Sequence, residues 1–275
     1  MPVPHLDLND GRSIPQLGFG VFQVDPATTA DVVGEALGAG YRHIDTAASY
    51  QNEAGVGAAL VASGLPRDDV FITTKLANTD QGRITPQESL ANSLTELGVD
   101  AVDLYLIHWP CPDKDLILPI WEAFAELQAT GLARSIGVSN FRVEDLHRLR
   151  DAGLPVPAVN QIELHPYFTQ PELRALHEEW GIRTEAWSPL GQGGELLEDP
   201  VLSEIAAKHG TTTAAVVIAW HLALGNVVIP KSVTPSRIAA NLAAADLALD
   251  GDDVAAISAL DRGGRIGPDP SVFGS

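Results

Sequence analysis

Pro86-Gln87-Glu88-Ser89-Leu90-Ala91-Asn92-Ser93-Leu94-Thr95-Glu96-Leu97-Gly98 is followed, three residues later, by Val102-Asp103-Leu104-Tyr105-Leu106-Ile107-His108. The first run spaces Leu90, Leu94 and Leu97 by four and three residues, the pattern of a helix with one buried face. Gly98 is the residue type that closes helices in a left-handed cap. The second run is short and mostly apolar, as a buried strand is, and it stops at a histidine. The same unit recurs along the chain. Strand-like runs fall at Leu17–Val21, Arg42–Thr46, Val70–Lys75, Val102–His108, Ser135–Ser139, Ala158–Glu163, Arg183–Ser188 and Val227–Pro230. Helix-like stretches fall between them at Ala30–Leu37, Glu53–Ala62, Pro86–Leu97, Leu118–Thr130, Val143–Asp151, Pro171–Trp180 and Thr213–Leu224, with Gly38, Gly64, Gly98, Gly131, Gly153 and Gly181 as stops.

Strands alternating with helices call for a parallel sheet with helical crossovers. Eight such units predict an α/β fold, a (β/α)8 TIM barrel, as one domain over residues 1–275. Ahead of the first unit, His5–Leu8, Asn9-Asp10-Gly11 and Ser13–Gln16 read as a β-hairpin that plugs the bottom of the barrel. Extra helices are expected before strand eight, over about Pro200–His209, and near the C-terminus. The tail from Gly263 to Ser275, rich in Gly and Pro, is expected to run over the surface.

The 275 residues carry 17 Lys and Arg against 36 Asp and Glu, a net charge of −19. Such a chain repels phosphate backbones and anionic bilayers, so neither nucleic acid nor membrane is an expected partner. Its one cysteine, Cys111, excludes an internal disulfide. Met1-Pro2-Val3-Pro4-His5-Leu6-Asp7 has no cationic stretch and no apolar core, so no signal peptide is expected there. The longest apolar run, Ala214 to Leu224, is too short to span a bilayer. A soluble, cytoplasmic monomer is the expectation.

Barrels of this kind do their chemistry at the C-terminal ends of the strands. The second run ends in Asp45, five residues before Tyr50; the third ends in Lys75 and the fourth in His108. Lysine at the end of an apolar run needs a partner, and Asp45 is the neighbour able to supply one. An ammonium beside Tyr50 favours the phenolate, so the sequence predicts a lowered tyrosine pKa and a group able to protonate an oxygen as charge builds on it. An Asp–Lys pair alone is more often structural than catalytic; the joint occurrence at successive strand ends favours a site. Neither GxGxxG nor GxxxxGK[ST] is present. Instead Lys231, Ser232, Thr234 and Arg237 cluster at the last strand exit, ahead of a helix, and two cations with two hydroxyls there suit a phosphate. Ser188-Pro189-Leu190-Gly191-Gln192-Gly193-Gly194 is a Gly-rich loop able to cover a pyrophosphate. His5, His43, His147, His165, His177, His209 and His221 show no metal-ligand spacing, and Cys111 has no activating neighbour.

Three long motifs then stand in order. Gly40-Tyr41-Arg42-His43-Ile44-Asp45-Thr46-Ala47-Ala48-Ser49-Tyr50-Gln51-Asn52-Glu53, Leu97 through Trp109-Pro110, and Ile229-Pro230-Lys231-Ser232-Val233-Thr234-Pro235-Ser236-Arg237-Ile238 with Asn241 resemble the signatures of the aldo-keto reductases. Gly137–Phe141, Asn160–Pro166 and Ser188–Gly191 fit the same family, and within it the chain looks closest to the bacterial 2,5-diketo-D-gluconate reductases. The resemblance implies a barrel that binds NADPH and reduces an aldehyde or ketone, a small dicarbonyl such as methylglyoxal or a keto-sugar acid. It makes Tyr50 the acid, tuned by Lys75 and Asp45, with His108 on the carbonyl. It puts Ser139, Asn140 and Gln161 on the nicotinamide carboxamide and Trp187 on its ring. It lays Ser188, Leu190 and Gln192 along the pyrophosphate, and places Lys231, Ser232, Val233, Thr234, Arg237 and Asn241 around the 2′-phosphate and adenosine. Phe22 and Trp109 line the substrate pocket. Ala77 stands where relatives often carry tryptophan, so one wall is expected to be less bulky and the pocket open. Two alternatives compete: a lyase forming a Schiff base on Lys75, which leaves Lys231–Arg237 without a purpose, and a non-catalytic NADPH-binding regulatory barrel, against which the intact Asp45, Tyr50, Lys75 and His108 argue.

Overall fold

The helix ends in the computed structural model, which describes residues 3–274, follow from their capping residues. Helix α3, Pro86–Leu97, starts with Pro at its first turn behind Thr85, whose hydroxyl accepts from Glu88 N at 3.1 Å while the Glu88 carboxylate accepts from Thr85 N at 2.8 Å. That reciprocal cap satisfies backbone donors the helix cannot. Gly98 closes the helix with φ +65°, a conformation that suits a residue without Cβ. Helices α5 (Val143–Asp151) and α6 (Pro171–Trp180) also lie where the sequence puts them.

One glycine differs. Helix α1 runs Thr29–Ala39, straight through Gly38, and its left-handed cap is Gly40 at φ +116°. The predicted stop at Gly38 is therefore two residues early. Helices α2 (Glu53–Ser63), α4 (Ile117–Thr130), α7 (Pro200–Lys208), α8 (Thr213–Ala223), α9 (Pro235–Ala243) and α10 (Gly251–Ser258) complete the set among the described residues. Helix α7 is the extra one expected before the last strand, and α10 the one near the C-terminus.

Strands β1 (His5–Asp7) and β2 (Ser13–Pro15) pair antiparallel as the predicted hairpin. The eight barrel strands are β3 (Phe19–Gly20), β4 (His43–Asp45), β5 (Phe71–Leu76), β6 (Val102–Ile107), β7 (Ala133–Ser139), β8 (Val159–Glu163), β9 (Arg183–Trp187) and β10 (Val227–Val228), each parallel to the next in chain order. The sheet closes on itself. Leu17 bridges Val228 in parallel, Gly18 N donates to Val228 O at 2.9 Å and Gly20 N to Pro230 O at 3.2 Å. Gly18 is needed at that seam for space, since a Cβ there would stand 2.5 Å from His43 Nδ1.

Every residue of β6 is buried, as in a parallel strand covered on both faces. Alternation sorts its side chains. Leu104 and Leu106 join Leu8, Ile14, Ala158, Val159 and Val227 in an inner cluster, so the hairpin does plug the barrel. Tyr105 and Ile107 face the large outer core against the helices. Burial of this apolar area, worth roughly 25 cal/mol per Å², holds the layers together and leaves the polar strand ends at one mouth.

Candidate active site

The side chains of Asp45, Lys75, Tyr50 and His108 meet at that mouth. Lys75 is fully buried. Its Nζ donates to Asp45 Oδ1 at 2.7 Å, to Thr46 O at 2.9 Å and to Tyr50 Oη at 3.4 Å. Tyr50 ends a single 3-10 turn, Ala48–Tyr50. Buried Asn52 anchors that turn: it accepts from Thr46 Oγ1 at 2.9 Å and donates to Val21 O at 3.0 Å, linking the first and second strand exits. The His108 ring stands edge-on to Tyr50, 5.6 Å between centroids, and its Nδ1 lies 3.2 Å from Ser49 Oγ.

The electrostatics correct one expectation. Tyr50 is pushed up, not down, from its ordinary pKa. Burial raises it; Lys75 opposes, but Asp45 and then Glu185 raise it further. The Asp45 carboxylate cancels much of what the ammonium was expected to do. For Lys75, burial alone would lower the pKa, yet Asp45, Tyr50 and Glu185 together hold it above its ordinary value. His108 is driven well below the usual imidazole range by burial and by Lys75. At neutral pH the trio is therefore a protonated phenol, an ammonium and a neutral imidazole.

Behind it, Ser139 on β7 and Gln161 on β8 are in register. Ser139 Oγ donates to Gln161 O at 2.8 Å. Asn140, at φ +61°, spends both amide hydrogens on His108 O and Ser139 Oγ, each at 3.0 Å, and accepts from Trp187 Nε1 at 2.8 Å. It thus ties three strand ends together and offers less to a ligand than the sequence suggests. Gln161 Nε2 donates to Asp45 Oδ2 at 2.7 Å and to Glu185 Oε2 at 3.0 Å, and no described residue donates to its Oε1. That oxygen is a free acceptor beside Tyr50's supporting carboxylate.

The last strand exit is built differently. Lys231, Val233, Thr234 and Arg237 are exposed, Ser232 and Asn241 buried. Ser232 Oγ accepts from Thr234 N at 3.1 Å just ahead of α9. Among the described residues, no carboxylate pairs with Lys231 or Arg237. Of the loop residues, Ser188 and Gln192 take left-handed conformations, at φ +49° and +56°, and Leu190 packs on the core.

Phe22 is exposed, its ring 5.1 Å from Tyr50, and Trp109 stands 6.4 Å from Trp187. Ala77 is buried just beyond β5. Sequence reasoning missed the tail's part in this wall. Phe273 packs edge-to-face on Trp109 at 4.5 Å, and Gly274 fits against Cys111 Sγ and Asn78. The tail is pinned by Glu163, whose oxygens accept from Ile266 N at 2.5 Å and Gly267 N at 2.8 Å. Burial would raise the Glu163 pKa, but His165 and those two amides hold it below the ordinary range. Arg262 lies 3.7 Å over the Tyr167 ring and pairs with Glu195. The tail does run over the surface, and it passes beside Trp109, where Phe273 packs. Ser275 lies outside the described residues. Burial pushes the Cys111 thiol up to about 11, in keeping with an unreactive thiol. No described group of three His, Cys, Asp or Glu side chains is disposed to hold a metal, and no described helix is long and apolar enough to cross a membrane.

An eight-stranded parallel barrel with a buried Asp–Lys–Tyr chain and a histidine at its mouth defines a class of oxidoreductase. The chain belongs to the aldo/keto reductase family, whose model matches residues 16–262. An aldo-keto reductase of Mycolicibacterium smegmatis is 54% identical over 270 residues, 98% of each chain. The methylglyoxal reductase DkgA of Salmonella typhimurium is 50% identical over 268 residues, 97% of each. Among solved structures, Gox0644 superposes with a TM-score of 0.94 at 47% identity over 98% of both chains. A mutant of Gox0644 in complex with NADPH superposes with a TM-score of 0.93 at 46% identity, again over 98% of both.

Proposed function

We propose that this protein reduces aldehydes and ketones to alcohols with NADPH, and that small dicarbonyls such as methylglyoxal are its substrates. The relative named methylglyoxal reductase supports the substrate class. The observation that carries the reading is the chain from Asp45 through Lys75 Nζ to Tyr50 Oη, 2.7 and 3.4 Å long, ending beside a neutral His108.

The residues present fit the cofactor. Lys231 and Arg237 are solvent-facing and, among the described residues, unpaired by carboxylates in a chain of charge −19, with Ser232 and the start of α9 between them. They would hold the 2′-phosphate, with Val233 and Thr234 beside it and Asn241 on the adenine. Ser188, Leu190 and Gln192 would lie along the pyrophosphate, and Trp187 against the nicotinamide ring. Gln161 Oε1, the acceptor left free, would take the carboxamide N–H, with Ser139 and Asn140 framing it. NADPH held there would supply a hydride for the carbonyl carbon. Tyr50 then transfers its hydroxyl proton to the carbonyl oxygen, so the product gains one hydride and one proton. The adjacent Lys75 ammonium stabilises the phenolate left behind, and Asp45 keeps that ammonium charged. Neutral His108 offers an N–H to the same oxygen. Phe22, Trp109, Phe273 and the small Ala77 would form the substrate wall.

The test follows NADPH absorbance with the purified protein against a panel of small carbonyls, with NADH in parallel. Turnover led by dicarbonyls and favouring NADPH is expected. Cofactor binding without turnover on any carbonyl would refute the reading.

A further inference from the structure

One buried carboxyl beneath the mouth has no part in the chemistry above. Glu185, on β9, is in register with Gln161 on β8, and its side chain is completely buried. Its Oε2 accepts from Gln161 Nε2 at 3.0 Å, and the same nitrogen donates to Asp45 Oδ2 at 2.7 Å. A primary amide nitrogen has two hydrogens, so both are spent, one on each carboxyl. Flipping the amide would turn its oxygen onto the Asp45 carboxylate, which has no hydrogen to give. The second Glu185 oxygen, Oε1, has no hydrogen-bond partner; His43 Nε2 stands 3.7 Å away and is itself 3.1 Å from Thr73 Oγ1. A fully buried carboxyl held by one neutral donor is expensive, and apolar side chains of similar size would serve packing better.

We propose that Glu185 is a positioning residue of the reductase: by sharing the Gln161 amide with Asp45 it fixes which face of that amide meets the nicotinamide, and it sets the charge beneath the Tyr50–Lys75 pair. The inference rests on the reductase reading. The titratable and charged groups that act on Glu185 are His43 and Asp45 from β4, Lys75 from β5 and Tyr50 from the 3-10 turn, with the Gln161 amide from β8; on β10 its register neighbour is the apolar Val227. Asp45 and Lys75 neutralise each other, so an ionised Glu185 is a net buried negative charge. Burial first, then Asp45, pushes its carboxyl up to about 8. Below that pH it is neutral. Above it, its charge raises both Tyr50 and Lys75, which keep their protons further into the alkaline range. Reduction needs the proton on Tyr50, so Glu185 extends reduction to higher pH and holds back the reverse reaction, which needs the phenolate.

Glu185→Gln keeps an acceptor oxygen for Gln161 and removes the charge. Single-turnover reduction of methylglyoxal under saturating NADPH, with pH jumps reaching from about pH 7 to about pH 12 because Tyr50 lies above its ordinary range, is compared with wild type. The readout is the position of the alkaline limb, whatever the plateau. It is expected to move to lower pH, with a severalfold slower rate on the falling limb. Superimposed limbs overturn the proposal, because a merely structural side chain moves the plateau and not the limb. Glu185→Met, which fills the space without a buried polar group, is the second variant should the first fail to fold; it carries the same expected shift and adds a loss of NADPH affinity from the released Gln161 amide. Wild-type protein that turns over no carbonyl would bring down the reductase reading itself, whereas wild-type turnover with unmoved limbs brings down this inference alone.

Discussion

The two ends of the binding groove are built on opposite plans. At the tetrad end, nearly every polar atom already has its partner inside the protein: Lys75 has three acceptors, Asn140 three partners, Gln161 two carboxyls. At the phosphate end, Lys231 and Arg237 are exposed and no described carboxylate pairs with them. The first end is preorganised for a reacting atom and costs no rearrangement at the moment of reaction. On the proposed reading the second would be completed by the cofactor's phosphate. Chemistry and affinity would then reside in different stretches of chain, and variants at the two ends should separate them.

Tyr50→Phe gives the largest expected separation. Losing a positioned proton donor should lower kcat by roughly 10²- to 10⁴-fold, while NADPH affinity, read by fluorescence titration, stays within about twofold. Near-wild-type turnover would place the acid elsewhere. Asp45→Asn attacks the same end through stability. It leaves the Lys75 ammonium buried without its counter-charge, and breaking such a pair costs roughly 3–5 kcal/mol. Denaturant unfolding should show that loss; a loss below about 1 kcal/mol would mean the pair is far wetter than its burial indicates. Arg237→Ala attacks the other end. A hydrogen bond to a charged group is worth about 1.5–3 kcal/mol, so NADPH should bind about 10- to 100-fold more weakly, with NADH affected far less and kcat little changed. Equal losses for both cofactors would contradict the 2′-phosphate role. Phe273→Ala is the mildest. An edge-to-face aromatic contact is worth about 0.5–1.5 kcal/mol, and KM for the carbonyl should rise severalfold at constant kcat. No change in KM would remove the tail from the pocket.

The barrel was legible because its punctuation is local. Thr85 with Pro86 and Glu88, the terminal glycines, and apolar runs ending in single polar residues are all read within a few positions. Gly38 misled because a glycine inside a helix and one that caps it look alike until backbone angles are known; Gly40, two residues on, takes the left-handed turn. The tetrad was legible because four chemically distinctive residues stand at the exits of three successive strands, Asp45 and Tyr50 after the same one. The direction of the Tyr50 shift was not, since it depends on how deeply the ring is buried and on Asp45 offsetting Lys75. Glu185 hid for a related reason: mid-strand, between Thr184 and Ala186, nothing marks it as sharing an amide with Asp45, 140 residues away in the chain. Phe273 hid in a tail whose Gly and Pro content describes a path and not a destination.

The closure of the barrel has a consequence for the order of assembly. The seam joins Leu17 to Val228, so the sheet stays open until some 211 residues of chain lie between two atoms that must meet. Contacts of that separation form late and slowly. Asp45, Tyr50, Lys75 and His108 all belong to the first 108 residues, whereas Lys231 and Arg237 follow the closing strand. On the proposed roles, a chain emerging from the ribosome would display its proton-transfer residues well before it could grip the molecule that supplies the hydride, and the step that seals the barrel would also bring the cofactor's anchor into place.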